Sequence, residues 1–277
     1  MYRVSKVLNN NGVIAIDMDE NKEYVILGKG VGFGKNVSQR FDKPEGCTTY
    51  RLEQETERGS AKELVKGIEP EYLEISDAIL TESQKVFGDS IDRGILFPLA
   101  DHISFAVARI RRNEQISNPL TEDIKVLFYS EFKVAETLKT ILRERLQIEI
   151  DDHEVGYVAL HIHSAIGDEK VSVAMQTARA VRECIDMLEK ATGKPIDVLS
   201  LSYNRLMNHM KYMVARASTG EKLNLDMNEY MLDQYPQAYK VATDICKNLE
   251  GCIGHKLDET ETGYLAMHIQ RVYKDAV

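Results

Sequence analysis

The sequence predicts a multidomain protein: a small all-β antiparallel domain at the N-terminus, followed by two all-α helical bundles. Three observations lead there. Hydrophobic residues recur with a period near two up to Leu52 and near 3.6 from about residue 60. A glycine-alternating segment, Gly28–Lys35, follows the third apolar run, and alternate glycines are disfavoured inside strands and needed where backbones approach closely. The second part repeats itself, and β structure first with helices afterwards argues for separate domains.

Taken in order, Arg3–Leu8 is a short run carrying Val4, Val7 and Leu8, and Val13–Ile16 and Tyr24–Leu27 are apolar and β-branched. The turn formers Asp17–Lys22 make a hairpin of the second and third runs. Thr48–Leu52 supplies a fourth strand. So few large apolar residues make a thin core that needs a partner, and self-association is the simplest. Next, Ile91–Arg112 carries Ile95, Leu96, Leu99, Ile103, Val107 and Ile110 as one apolar stripe, with Pro98 as an alternative start. Further helices are expected over Glu131–Arg145, Glu154–Ile166, Ser172–Ala191, Ser200–Ala217, Ala238–Glu250 and Glu261–Tyr273. Gly193-Lys194-Pro195 ends one of them, and Asn118-Pro119 opens another.

An offset of 107 residues carries His102–Arg109 onto His209–Arg216, Phe132–Ala135 onto Tyr239–Ala242, and Glu154–Ile162 onto Glu261–Ile269. One register across three blocks identifies two similar helical domains. Each copy holds two histidines 59 residues apart, His102 with His161 and His209 with His268. A lone helical histidine is usually a packing or surface residue. Four of the seven on repeat-equivalent sites point to function instead. Metal binding, acid–base work and phosphotransfer all remain open from the residues alone.

The net charge of −9 speaks against a polyanionic partner for the chain as a whole. Residues 1–40, however, carry Arg3, Lys6, Lys22, Lys29, Lys35 and Arg40 against Asp17, Asp19, Glu20 and Glu23, so such a partner belongs at the N-terminus. The four cysteines sit apart, no apolar run approaches the roughly 20 residues that cross a bilayer, and no signal segment opens the chain. A reducing, cytoplasmic setting without membrane insertion fits. His161-Ile162-His163 resembles a zinc pair, yet its rings diverge on a helix and Gln270 stands at the repeat position, so no metal site is assigned. Gly34-Lys35 fails the phosphate-loop spacing, Phe33 breaks the dinucleotide fingerprint, and Gly-x-Ser-x-Gly is absent. Neither a cofactor nor catalytic residues are expected. The competing classes are a protein–protein interaction module with a β-rich dimerisation head, and a histidine-dependent enzyme.

The head, with Lys6-Val7-Leu8-Asn9-Asn10-Asn11 and Ile26-Leu27-Gly28-Lys29-Gly30-Val31-Gly32-Phe33-Gly34-Lys35, resembles the co-antiterminator RNA-binding domain of the BglG/SacY family of bacterial transcriptional antiterminators. The helical copies resemble that family's paired PTS regulation domains, with Asp101-His102, His161, Asn208-His209 and His268 on its phosphorylatable positions. The resemblance places the RNA-binding domain at residues 1–56 and the regulation domains at 67–170 and 172–277. It implies a four-stranded head that dimerises and holds a leader-RNA hairpin, the ribonucleic antiterminator, against a terminator in a sugar-utilisation transcript. The expected RNA-contacting residues are Lys6, Asn9, Asn10, Asn11, Gly28, Lys29, Gly30, Phe33 and Lys35. Amides suit base edges, lysines phosphates, glycines close backbone approach, and Phe33 either stacks on a base or packs in the core. The implied phosphate donors are the phosphocarrier HPr and the sugar-specific enzyme II of the phosphotransferase system. Phosphorylation of the first domain would block activity and that of the second would promote it. Gly12 after the asparagine triplet and Asn36 after Lys35 depart from the commoner family pattern.

Overall fold

A computed structural model describes residues 1–53, 55–56, 59–167, 170–197 and 200–275. The head is an antiparallel sheet of β1 (Tyr2–Asn9), β2 (Gly12–Asp17), β3 (Glu23–Leu27), β4 (Arg40–Phe41) and β5 (Thr48–Arg51), ordered β4-β1-β2-β3-β5. The four expected strands form. The two-residue β4 adds a fifth at the outer edge of β1, from a run too short to show any periodicity. A second pair, β6 (Glu55–Thr56) and β7 (Gly59–Ser60), leads into the helices.

Alternation divides the sheet between two cores. Val4, Val13, Ala15 and Ile26 face one way and close the head's own core with Val31 and Phe41, flanked by Tyr2 and Tyr24. Ile14, Val25 and Tyr50, aligned across β2, β3 and β5, face the other way and are also buried. Tyr50 rests edge-on against Phe97, 6.4 Å between centroids. The thin head therefore finds part of its partner within its own chain.

The helices are α1 (Ala61–Gly67), α2 (Pro70–Phe87), α3 (Leu96–Arg111), α4 (Thr121–Leu127), α5 (Tyr129–Ala135), α6 (Thr137–Leu146), α7 (Asp152–Gly167), α8 (Val171–Thr192), α9 (Leu201–Thr219), α10 (Asn228–Gln234), α11 (Pro236–Ile253) and α12 (Glu261–Asp275). Pro98 sits in the first turn of α3, where its missing N–H removes no helical bond, and a short 3-10 turn precedes that helix. The single helix expected over Glu131–Arg145 is split at Glu136. There the Thr137 hydroxyl donates to the Val134 carbonyl and tightens the turn. Ser200 caps α9 through its hydroxyl, and Gly220 ends it in the left-handed conformation.

The chain forms two compact units. The first joins Met1–Asn118 with Ser130–Lys170, so it holds the head together with α1–α3, most of α5, α6 and α7. The second joins Pro119–Tyr129, which includes α4, with the chain from Val171 onward. No helix among the described residues is long and apolar enough to cross a membrane.

Candidate RNA interface and histidine pairs

The asparagine triplet forms the β1–β2 turn and is fastened to the glycine-rich segment. The backbone N–H groups of Gly28 and Gly32 donate to the carbonyls of Asn11 (2.9 Å) and Asn10 (3.0 Å), and Gly30 N–H donates to Asn11 Oδ1 (2.9 Å). A Cβ on Gly32 would stand 2.0 Å from the Asn9 carbonyl oxygen, so the close approach requires glycine. Asn9 Oδ1 accepts from Asn11 N–H at 2.8 Å. The remaining amide ends of Asn9 and Asn11 both donate to one carboxylate, Glu74 of α2, at 2.7 and 3.2 Å. Asn10 is exposed, and its side chain makes no hydrogen bond among the described residues.

Phe33 is 73% exposed, which decides against a core role. Lys6 and Lys29 are exposed as well, while Lys35 lies over the Phe41 ring, 5.0 Å from its centroid. Asn10 and Phe33 thus stand exposed on the two turns that these backbone hydrogen bonds join, with Lys29 exposed on the second. Asn9, Asn11 and the glycines build those turns.

In the first unit His102 of α3 meets His161 of α7, 5.4 Å between ring centroids. Seven residues on from His102, Arg109 donates to Glu154 at 2.8 Å, and Glu154 lies seven residues before His161. The two helices therefore run antiparallel. His102 is 8% exposed, and its Nε2 lies 3.4 Å from Glu154 Oε2 without hydrogen-bond alignment. Burial would raise Glu154, but His102 and Arg109 outweigh it and hold its carboxyl below the usual range. His163 points elsewhere and pairs with the buried Glu131 at 2.9 Å.

The second unit repeats this arrangement on α9 and α12. The rings of His209 and His268 stack at 4.8 Å, and Arg216 grips Glu261 with two donors at 2.6 and 2.9 Å. Glu261 is only 1% exposed, and its Oε2 stands 3.7 Å from His209 Nε2. His209 Nε2 and His268 Nδ1 are buried without hydrogen-bond partners. Burial, then the neighbouring His268 and Arg216, depress His209 to about 3. Burial, then Arg271 and Arg205, depress His268 to about 4. Both imidazoles are neutral at physiological pH. A cavity of about 180 Å³ borders the Arg216–Glu261 pair and is lined also by Lys222 and Lys256. Lys211 instead stands over Phe128. Arg216 is, by its spacing from His209, the basic residue expected on the same helical face, and its contact with Glu261 is the component that sequence reasoning passed over. Its signal was present, since both residues lie in repeated blocks.

Residues 2–59 match the CAT RNA binding domain family, and residues 77–165 and 181–272 each match the PRD domain family. The chain belongs to the BglG/SacY family of bacterial transcriptional antiterminators. Among its BglG/SacY relatives, the GlcA/glcB genes antiterminator of Staphylococcus carnosus is 30% identical over 274 residues, covering 97% of this chain and 94% of that one. Transcription antiterminator LicT of Bacillus subtilis is 27% identical over 278 residues, covering 99% and 100%. The crystal structure of GlcT CAT-PRDI is similar at 28% identity and a TM-score of 0.52, over 60% of this chain and 98% of that one. BglG/SacY members are RNA-binding regulators and not enzymes.

Proposed function

We propose that this chain is a cytoplasmic antiterminator that, as a homodimer, holds a leader-RNA hairpin against a terminator in a sugar-utilisation operon, under control of histidine phosphorylation. The observation that carries the reading is the match of residues 2–59 to an RNA-binding domain in which Asn10 and Phe33 stand exposed on two turns joined by backbone hydrogen bonds. Sequence in RNA is read from unstacked loop and bulge bases, for which an amide and an aromatic face are suited tools.

The domain boundaries proposed are residues 1–56, 67–170 and 172–277. The phosphate donors proposed are HPr for the second regulation domain and the sugar-specific enzyme II for the first. A neutral imidazole is the form that attacks phosphorus, and the orphaned Nε2 of His209 and Nδ1 of His268 favour these nitrogens as acceptors. His102 and His161 serve the same role in the first domain. A phosphoryl group on His209 Nε2 would arrive close to the Glu261 carboxylate, now 3.7 Å away. At about 4 Å and an effective dielectric near 20, like unit charges repel by roughly 4 kcal/mol, and a phosphoryl group carries nearly two. Arg216 is placed to leave Glu261 for the phosphate, which converts a local charge into a rearrangement of α9 against α12.

The test is phosphate transfer from purified HPr, with mass spectrometry under histidine-preserving conditions, beside a readthrough reporter. Label on His209 or His268, and readthrough without inducer in His102→Ala or His161→Ala, are expected. No label, together with full inducer dependence of both variants, would remove the phosphorylation part of the reading.

A further inference from the structure

The Glu74 carboxylate bridges the Nδ2 donors of Asn9 and Asn11, two of the three asparagines in the turn assigned to RNA. That turn does not need Glu74 to keep its shape. Backbone bonds from Gly28 and Gly32, the Gly30–Asn11 bond and the Asn9–Asn11 bond already define it. The carboxylate arrives from α2, which leads into the first regulation domain match at residues 77–165.

One turn further along the same helix, Asp77 forms a second anchor. It accepts from the Tyr50 hydroxyl and from Arg93 at 2.8 Å, and Arg93 also donates to the Tyr50 oxygen at 2.8 Å. Glu74 also has a cation within reach, since Arg145 of α6 stands 3.6 Å from its Oε2.

We propose that Glu74 is an internal plug, a carboxylate on the regulatory side that occupies amide donors an RNA acceptor would take, so that RNA binding requires α2 to draw away. The proposal rests on the RNA-binding reading of the head. Anionic and bidentate, Glu74 satisfies the donors as an RNA oxygen would, and it repels approaching phosphates. Withdrawal leaves it with Arg145, so its charge is not stranded. Because Glu74 and Asp77 share one helix, a shift of α2 opens both anchors. This links the state of the first regulation domain to the surface of the head.

A plug closed about 80% of the time weakens apparent affinity roughly fivefold. Filter binding of the full, unphosphorylated chain, with leader RNA transcribed from upstream of the operon beside its gene, tests this. Glu74→Ala should bind about fivefold tighter, and Glu74→Gln, which keeps size and one acceptor, about twofold tighter. Glu71→Ala, which removes a charge one turn earlier on α2, should change binding far less. In the Asn9→Ala background the Glu74→Ala gain should shrink, as expected for coupled partners. If the parent binds and Glu74→Ala binds equally or more weakly, or Glu71→Ala gains as much, the plug is overturned while the RNA reading stands. If neither the parent nor any variant binds the leader RNA, both fall.

Discussion

Lowering the pH from 8 to 5 should weaken the second compact unit by an amount set by three buried groups. His209 and His268 have folded pKa values of about 3 and about 4, against an ordinary 6.5. A depressed histidine is neutral in the fold and charged in the unfolded chain, so its stability is lost as pH falls through 6.5. At pH 5 linkage puts the loss at about 2 kcal/mol for each. Asp123 of α4 works in the opposite sense. Burial pushes it up to about 6 from 3.8, so the folded state takes up its proton first and gains about 1.4 kcal/mol at pH 5. The net expectation is a loss of about 2.5 kcal/mol. Carboxylates held low, Asp258 and Glu250, lose their contribution only below this window. Hydrogen exchange of peptides from α11 and α12 in a urea series, corrected for intrinsic rates, reads the effect within this unit. The double variant His209→Asn, His268→Gln should reverse its sign and gain stability on acidification. Asp123→Asn should deepen the loss to about 4 kcal/mol. Equal pH dependence in parent and double variant would refute the reasoning.

Glu261→Gln removes the partner of Arg216 and should cost the second unit about 3 kcal/mol, measured by the same exchange series. Gly32→Ala drives a Cβ into the Asn9 carbonyl and should destabilise the head by about 2 kcal/mol or more in urea denaturation, with loss of leader-RNA binding. Asn10→Ala should lower specific RNA binding by about 1–3 kcal/mol and leave stability unchanged, because its side chain holds nothing in the fold. Lys35→Ala should weaken binding to every RNA tested and flatten the salt dependence of filter binding.

The strands were legible because one face of the sheet alternates, as Val13, Ala15 and Ile26 show, and the helices because their apolar stripes are long. The repeat made the histidine pairs legible without any structure, since two copies of one arrangement constrain the same positions. It pointed equally to Glu154 and Glu261, but carboxylates on helices read as solvated until their burial is known. Helix α2 was harder to read, because serines break its buried face at Ser76 and Ser83. Nothing local to Glu74 marks it. Its role depends on two asparagines more than sixty residues away, and such a contact has no period and no motif. The division of α4 into the second unit was illegible for the same reason: Pro119–Tyr129 reads as part of whichever bundle is adjacent in sequence.

The claim that this chain reads RNA through its head is tested most directly by filter binding of the full protein to its leader hairpin at two salt concentrations, beside a duplex of equal length with no loop or bulge. The account predicts binding to the hairpin that falls steeply between about 50 and 200 mM salt yet stays well above the duplex at both, since phosphate contacts supply affinity and exposed bases supply selection. Equal binding to hairpin and duplex, or none to either at the lower salt, would contradict it.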